Sequence, residues 1–115
     1  MVAFERFEDI IGWQKARELT KVDYGFTARN PASRAFGFRN QIRDAAVSSM
    51  SNIAEGFDRK TDREFQRFLY ICRASASEVQ SLLYVAMDQD YIVKAKFDEL
   101  YNLTGEVKKL VGGLV

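Results

Sequence analysis

Residues suited to binding an anion gather around one break in the helical pattern of this sequence. The stretch SNIAEGFDRKTDREFQRFL, from Ser51 to Leu69, carries cations close after its glycine, Gly56. Arginine presents several N–H donors in one plane, an arrangement that suits phosphate groups. We therefore predict a nucleic-acid-binding edge near this break, extended by two cations of the preceding segment. Its candidate residues are Arg39, Arg43, Arg59, Lys60, Arg63 and Arg67.

The same stretch also allows a purely structural interpretation. Glu55 stands near the C-terminal end of its predicted helix, where the helix dipole opposes a negative charge. Arg59 could neutralise it from four residues on, and Asn52 lies one turn earlier on the same face. Asn52, Glu55 and Arg59 would then form a polar node that fixes the turn, and Arg39 could pair with Glu78. Both interpretations stay open, because structural ion pairs often resemble binding sites.

The other residue types argue against catalysis. The chain contains no histidine and a single cysteine, Cys72. The commonest general base is therefore absent, and neither an internal disulfide nor a thiolate metal site can form. No carboxylate spacing matches a calcium loop or a two-metal bundle, and no glycine-rich loop resembles a phosphate cradle. We predict a protein that is not an enzyme, binds no metal or cofactor, and buries Cys72 as an inert thiol.

Charge is unevenly distributed along a chain whose net charge is only +1. Residues 29–73 hold nine bases and five acids, whereas residues 74–106 hold two bases and six acids. Such asymmetry predicts charged surfaces that meet partners of opposite sign. It supports an alternative function, a protein-interaction scaffold that presents acidic residues to a basic partner protein. Those acids are Glu78, Asp88, Asp90, Asp98, Glu99 and Glu106.

Length and hydropathy predict one soluble domain covering residues 1–115. No apolar run is long enough to span a bilayer, so we expect no membrane partner. The N-terminal residues MVAFERFEDII place acids within an apolar stretch, unlike a signal or transit peptide. We therefore expect a cytoplasmic location.

Apolar residues recur at helical spacing in four segments, with no alternation typical of strands. The first helix should begin near Ile10 and end near Asn30-Pro31, because proline disfavours helical geometry in the residue before it. The second should begin near Ala35 and end at Gly56, which we expect to adopt a left-handed conformation as a cap.

Thr61 and Glu64 have the form of a capping box at the start of the third helix. Residues 88–90 interrupt this helix, and the fourth carries apolar residues from Phe97 to Leu114. Four amphipathic helices with short connections predict an all-α, antiparallel up-down-up-down four-helix bundle.

The first and third helices carry more apolar surface than one bundle core requires. Unless loops or the terminal segments cover it, such a surface favours self-association. The residues of the third helix that lie off the core stripe are Tyr70, Ile71, Ala74, Tyr84, Val85 and Met87.

Several residues of this sequence match one known pattern. The run Asn52-Ile53-Ala54-Glu55-Gly56 is its most specific part, and FEDIIGWQKAREL fits with Trp13 and Ala16 in place. Further matches are Gly37, Gln41, Arg43, Ala46, Ser48, Arg59, Phe65, Phe68, Leu69, Ser75, Glu78 and Tyr91. With these features the chain resembles the four-helix-bundle proteins encoded within intervening sequences of bacterial 23S rRNA genes, once described as a ribosomal protein. It is also similar to the related accessory variability protein of diversity-generating retroelements.

The resemblance implies a homo-oligomeric ring of four-helix bundles, a pentamer, with RNA or DNA bound through basic surface. It implies no catalytic residue. Where family members often have two adjacent basic residues, this chain has Arg43-Asp44, a departure that weakens the implied nucleic-acid binding. We expect a non-enzymatic homo-oligomer associated with structured RNA or with RNA and DNA, or else the scaffold described above.

Overall fold

The computed structural model describes residues 4–114, which contain four α-helices. They are α1 (Ile11–Thr27), α2 (Phe36–Phe57), α3 (Asp62–Asp88) and α4 (Lys94–Gly112). Single 3-10 turns at Phe7–Asp9 and Ala32–Arg34 precede α1 and α2. No strand occurs within the described residues. The predicted all-α class is confirmed.

Each helix packs against two neighbours: α1 against α2, α2 against α3, α3 against α4, and α4 against α1. Along α2, Gln41 contacts Glu78 and Gly56 approaches Phe68, so the two helices run in opposite directions. The other neighbouring pairs show the same reversal. Their contacts are Thr20–Ala46 and Tyr24–Arg43 for α1 and α2, Gln80–Tyr101 and Tyr84–Phe97 for α3 and α4, and Gly12–Val111 and Lys15–Glu106 for α1 and α4. The molecule is thus a four-helix bundle, 44 Å long.

The apolar stripe predicted for α3 forms one wall of the core. Its buried members are Phe65, Leu69, Cys72, Ala76, Val79, Leu82, Leu83 and Ala86. Cys72 is a free thiol, as predicted, and burial raises its pKa to about 12. The thiol therefore stays protonated at neutral pH, where the thiolate would be the reactive form.

Side chains and backbone geometry set the two ends of α3. The Thr61 hydroxyl accepts a hydrogen bond from the Glu64 backbone N–H at 3.1 Å and donates one to the Glu64 carboxylate at 3.2 Å, so the predicted cap is present. After α3, Asp90 adopts a left-handed conformation with φ of 59°. Aspartate tolerates this geometry better than most residues. The chain can therefore reverse within a few residues and begin α4 at Lys94.

The prediction that Gly56 ends α2 as a left-handed cap is wrong. The helix continues to Phe57, and no glycine of the described chain has a positive φ. Gly56 serves packing instead: a Cβ atom there would lie 2.6 Å from Phe68 Cβ and 3.0 Å from Phe65 Cδ1. The missing side chain lets α2 and α3 approach closely at the end of the bundle where they are joined.

Candidate nucleic-acid interface

The six cations predicted to bind nucleic acid fall into two separate groups. Arg39 and Arg43 lie in the first half of α2, whereas the other four lie at the α2–α3 connection and in the first turns of α3. From Arg39 to the end of α2 at Phe57 the helix advances about 27 Å, at 1.5 Å per residue. The six residues therefore do not form one continuous site.

Arg43 is bound within the bundle. Its Nε donates to the Thr27 hydroxyl at 2.8 Å, and its guanidinium lies 4.4 Å from the centre of the Tyr24 ring. The side chain is half-buried between α1 and α2. These contacts leave Arg43 little freedom to reach a phosphate.

Arg39 is also held by neighbouring residues. It donates to the Ser33 carbonyl at 3.1 Å and stacks on the Phe36 ring at 4.9 Å. The expected Arg39–Glu78 pair is not formed, because Gln41 Nε2 donates to the Glu78 carboxylate at 3.3 Å instead. The sequence thus predicted correctly that α2 contacts Glu78, but the contacting residue is Gln41 and not Arg39.

The three residues expected to form a polar node make separate contacts. Asn52 Nδ2 donates to the Ser48 carbonyl at 2.8 Å and to the Ser48 hydroxyl at 2.9 Å. The Arg59 guanidinium stacks on the Phe68 ring at 4.6 Å. Glu55 is exposed, and no hydrogen bond or ion pair joins its carboxylate to another described residue.

Beside Asn52, the polar contact between α2 and α3 is made by small residues instead. The Ser48 and Ser75 hydroxyls lie 2.8 Å apart, and the Asn52 amide joins Ser48 from one turn further along α2. Small side chains at this contact allow the two backbones to come close.

Arg63 and Arg67 are open to solvent, and their side chains are unpaired among the described residues. Neither guanidinium makes a hydrogen bond or ion pair with another described residue. With Tyr70 and Ile71 they line an open concavity of about 730 Å³ on the outer face of α3. The Tyr70 side chain is 54% exposed. Two free guanidinium groups and an accessible aromatic ring therefore share one surface.

Arg59 and Lys60 lie beside that surface, at the α2–α3 connection. Both are exposed, and together with Phe57 and Phe65 they line a smaller cavity of about 110 Å³. Four of the six predicted cations thus gather at one end of the bundle, as expected from the sequence.

Asp23 was not predicted as a candidate site residue, yet it is a buried acidic residue without a hydrogen-bond partner for its carboxylate among the described residues. It is 0% exposed, and neither carboxylate oxygen has a hydrogen-bond partner among the described residues. Burial raises its pKa from 3.8 to about 7, although nearby Arg43 acts in the opposite direction. Its spacing could have revealed it, since Asp23 follows Leu19 by four residues and precedes Phe26 by three, on the buried face of α1.

Exposed apolar side chains lie along α3, as predicted. Tyr84 is 54% exposed and Val85 42%, and Tyr70 and Ile71 lie two heptads earlier on nearly the same face. None of the described connections covers these four residues. Self-association through them stays a prediction.

Metal and membrane signals are absent from the part of the chain that the structure describes. Residues 4–114 contain no cluster of histidine, cysteine and acidic side chains that could hold a metal ion. None of their helices combines the length and hydropathy required to span a bilayer.

Comparison with known proteins identifies the family. The family described as 23S rRNA-intervening sequence protein matches residues 8–113, a range that contains all four helices and all six candidate cations. The chain belongs to this family. The resemblance inferred from the NIAEG run and its surroundings is thereby confirmed.

A solved structure has the same fold as this chain. It is a protein of unknown function from the S23 ribosomal protein family of Bacteroides thetaiotaomicron. This structure and ours superpose with a TM-score of 0.81 at 22% sequence identity, over 89% of this chain and 95% of the other. Among curated proteins, none matches this chain at a significant level.

Proposed function

We propose that this protein is a non-enzymatic homo-oligomer that binds nucleic acid through Arg63, Arg67 and Tyr70, here called the arginine–tyrosine edge. One observation carries the proposal: the two guanidinium groups are unpaired among the described residues and share an open concavity with an exposed aromatic ring. A surface arginine with no partner can exchange its hydration for phosphate oxygens without breaking an existing contact.

The edge combines the two interactions that single-stranded nucleic acid uses. Guanidinium groups contact phosphates and displace counterions, which makes binding depend on salt. An exposed aromatic ring stacks on an unpaired base, and every base offers a face for stacking. We therefore expect weak, largely sequence-independent binding, strongest where bases are already unstacked, as in the loop of an RNA hairpin.

The remaining cations contribute unequally to this function. Arg59 and Lys60 are exposed next to the edge and extend its positive surface. Arg39 and Arg43 already donate hydrogen bonds within the chain and lie toward the other end of α2. We assign them mainly to the stability of the bundle.

Oligomerisation would strengthen a weak edge. Tyr84 and Val85 form an exposed apolar surface on α3, which supports contact with a second copy. Several edges in one assembly would bind the same RNA with a higher effective concentration. The number of copies, five, is what the family resemblance implies.

The alternative scaffold function draws less support from the structure. Among its acidic residues, Asp98 pairs with Lys94, Glu99 with Lys96, and Glu106 with Lys15. These pairs neutralise much of the surface that a basic partner protein would need.

A salt series of fluorescence anisotropy with a labelled RNA hairpin tests the proposal. The slope of log affinity against log salt should fall by roughly one for each phosphate contact removed, and so by about two in the double variant Arg63→Ala/Arg67→Ala. The matched control, Arg29→Ala/Arg34→Ala, removes the same charge at the other end of the bundle and should leave most of the affinity intact.

Two results would overturn the proposal. One is the absence of binding by the wild-type protein at low salt. The other is an equal loss in the edge variant and its control, because only the total charge would then matter. A separate variant, Tyr70→Leu, should weaken binding without changing the salt slope, since stacking releases no counterions.

A further inference from the structure

A second concave surface lies at the opposite end of the bundle from the arginine–tyrosine edge. There the α1–α2 connection meets the α3–α4 connection, and the two line an open cavity of about 430 Å³. Its volume falls within the range of small-molecule sites in proteins. Phe26, Pro31, Tyr91, Ile92 and Val93 supply apolar walls.

The apolar walls are held in place by the fold. Phe38 packs its ring against both Phe26 and Tyr91, with centroid separations of 6.2 and 5.2 Å. The Tyr91 backbone N–H donates to the Ala86 carbonyl at 2.8 Å, which fixes the chain where it leaves α3. Val93, by contrast, is 71% exposed, an unusual position for a large apolar side chain at a cavity mouth. The cavity is therefore preformed and its apolar rim faces solvent.

Polar and charged side chains complete the cavity, and they belong to Arg29, Asn30, Asp90 and Lys96. Arg29 and Lys96 line it and also line an adjoining concavity of about 610 Å³ between α1 and α4, to which Lys21 contributes. Lys96 pairs with Glu99 at 2.7 Å. Arg29 is exposed, and its guanidinium has no hydrogen-bond or ion-pair partner among residues 4–114. A free guanidinium group thus stands at the boundary between an apolar space and a charged one.

We propose that this cavity binds a small organic anion whose apolar, ring-sized body carries one carboxylate or phosphate group. The ring would lie against Tyr91 and Val93, and the acidic group would receive hydrogen bonds from Arg29 and Lys96. Guanidinium and carboxylate or phosphate form strong, charge-assisted pairs, while the apolar walls favour the body of the ligand. The site is independent of the nucleic-acid edge, which lies at the other end of a 44 Å bundle.

Equilibrium dialysis with three probes separates the two parts of the recognition. 2-Naphthoate has both a ring system and a charge, 2-naphthylmethanol has only the ring system, and acetate has only the charge. We expect 2-naphthoate to bind at least about tenfold more tightly than either of the other probes. 2-Naphthyl phosphate should bind comparably, and the better of the two anions indicates the acidic group of the natural ligand.

Variants locate the binding in this cavity. Arg29→Gln/Lys96→Gln should reduce the affinity for 2-naphthoate to that for 2-naphthylmethanol. The control Arg34→Gln/Lys109→Gln removes the same charge from exposed positions outside the cavity and should bind as the wild type does. Val93→Asp, which places a carboxylate at the exposed rim, should abolish binding of 2-naphthoate.

Three outcomes would overturn the proposal. They are equal affinity for the neutral and charged naphthalene probes, unchanged binding by the Arg29→Gln/Lys96→Gln variant, and displacement of 2-naphthoate by the RNA hairpin. The last result would assign the cavity to nucleic acid. Retention of RNA binding by the cavity variant, together with loss of 2-naphthoate binding, would show the two sites to be separate.

Discussion

The Arg43 guanidinium lies near the buried carboxylate of Asp23 but donates its hydrogen bond to the Thr27 hydroxyl, at 2.8 Å. Asp23 keeps both oxygens without a partner among the described residues. A buried carboxylate that accepts no hydrogen bond is more stable when protonated. The α1–α2 contact is therefore expected to change its charge near neutral pH.

Stability should consequently fall as pH rises through the range in which Asp23 ionises. In the native protein its pKa is raised from 3.8 to about 7, so between these values the folded state holds a proton that the unfolded state has lost. The free energy of unfolding should decline across that window by up to about 4 kcal/mol, at roughly 1.4 kcal/mol per pKa unit. Urea titrations at pH values from 4 to 8 measure this decline.

The variant Asp23→Asn should remove this dependence, because an amide does not ionise. Relative to wild type, it should be nearly equal in stability below about pH 4 and more stable at pH 8 by about 4 kcal/mol. Asp44→Asn, at an exposed position of α2, serves as the control and should follow the wild-type curve. Parallel pH curves for wild type and Asp23→Asn would contradict the burial of an ionising carboxylate.

A methyl group at Gly56 should destabilise the bundle strongly. The added Cβ would meet Phe68 Cβ at 2.6 Å, so α2 and α3 would have to separate. Overpacking of this kind costs on the order of 1–3 kcal/mol or more.

Gly25→Ala provides the opposite case, since no atom outside the neighbouring backbone of its own helix lies within 4 Å of the added group. There alanine should stabilise the helix by roughly 0.5–1 kcal/mol. Thermal unfolding of both variants would show opposite shifts, and equal shifts would argue against a close α2–α3 contact.

Substitution of Asn52 and of Glu55 should affect stability differently, because, of the two, only Asn52 makes side-chain hydrogen bonds to other described residues. Glu55→Gln should change the free energy of unfolding by less than about 0.5 kcal/mol, because Glu55 is exposed and unpaired in the described structure. Asn52→Ala should cost about 1 kcal/mol through its lost hydrogen bonds to Ser48. A large loss in Glu55→Gln, measured by urea unfolding, would instead support the polar node.

The purified protein should sediment as a stable oligomer at micromolar concentration. Tyr84→Ser/Val85→Ser should shift it toward the 13.2 kDa monomer, because it removes exposed apolar surface from α3. Val93→Ser, which changes an apolar residue at the bundle end, should leave the assembly unchanged. Circular dichroism should confirm helical folding of the first variant, since Tyr84 also packs on Phe97. A wild-type monomer would refute the proposed assembly.

Local sequence patterns predicted the parts of this fold that depend on neighbours along one helix. The buried positions of α3 follow from apolar spacing, and the cap at Thr61 follows from its separation from Glu64. Each of these two patterns depends on residues that lie only a few positions apart along the chain. Helical geometry alone therefore determines which side chains meet.

Contacts between helices were harder to predict. Gly56 resembled a helix cap, but its role depends on Phe68 of the next helix. Glu78 pairs with Gln41 rather than Arg39, a difference of two residues that only the rotation of α2 about its axis determines. Asp23 is buried by packing with α2. Because its side chain is polar, the apolar pattern of α1 did not predict this burial. These relationships depend on the position and rotation of one helix relative to another.

The short α2–α3 connection also bears on the order in which the bundle folds. Only four residues separate α2 from α3, whereas α1 and α4 meet through Gly12 and Val111, near the two ends of the described chain. Closing the shorter loop loses less chain entropy, so we expect the α2–α3 hairpin to form in the folding transition state. In stopped-flow measurements, Ala76→Gly should then mainly slow folding, while Val111→Ala should mainly accelerate unfolding.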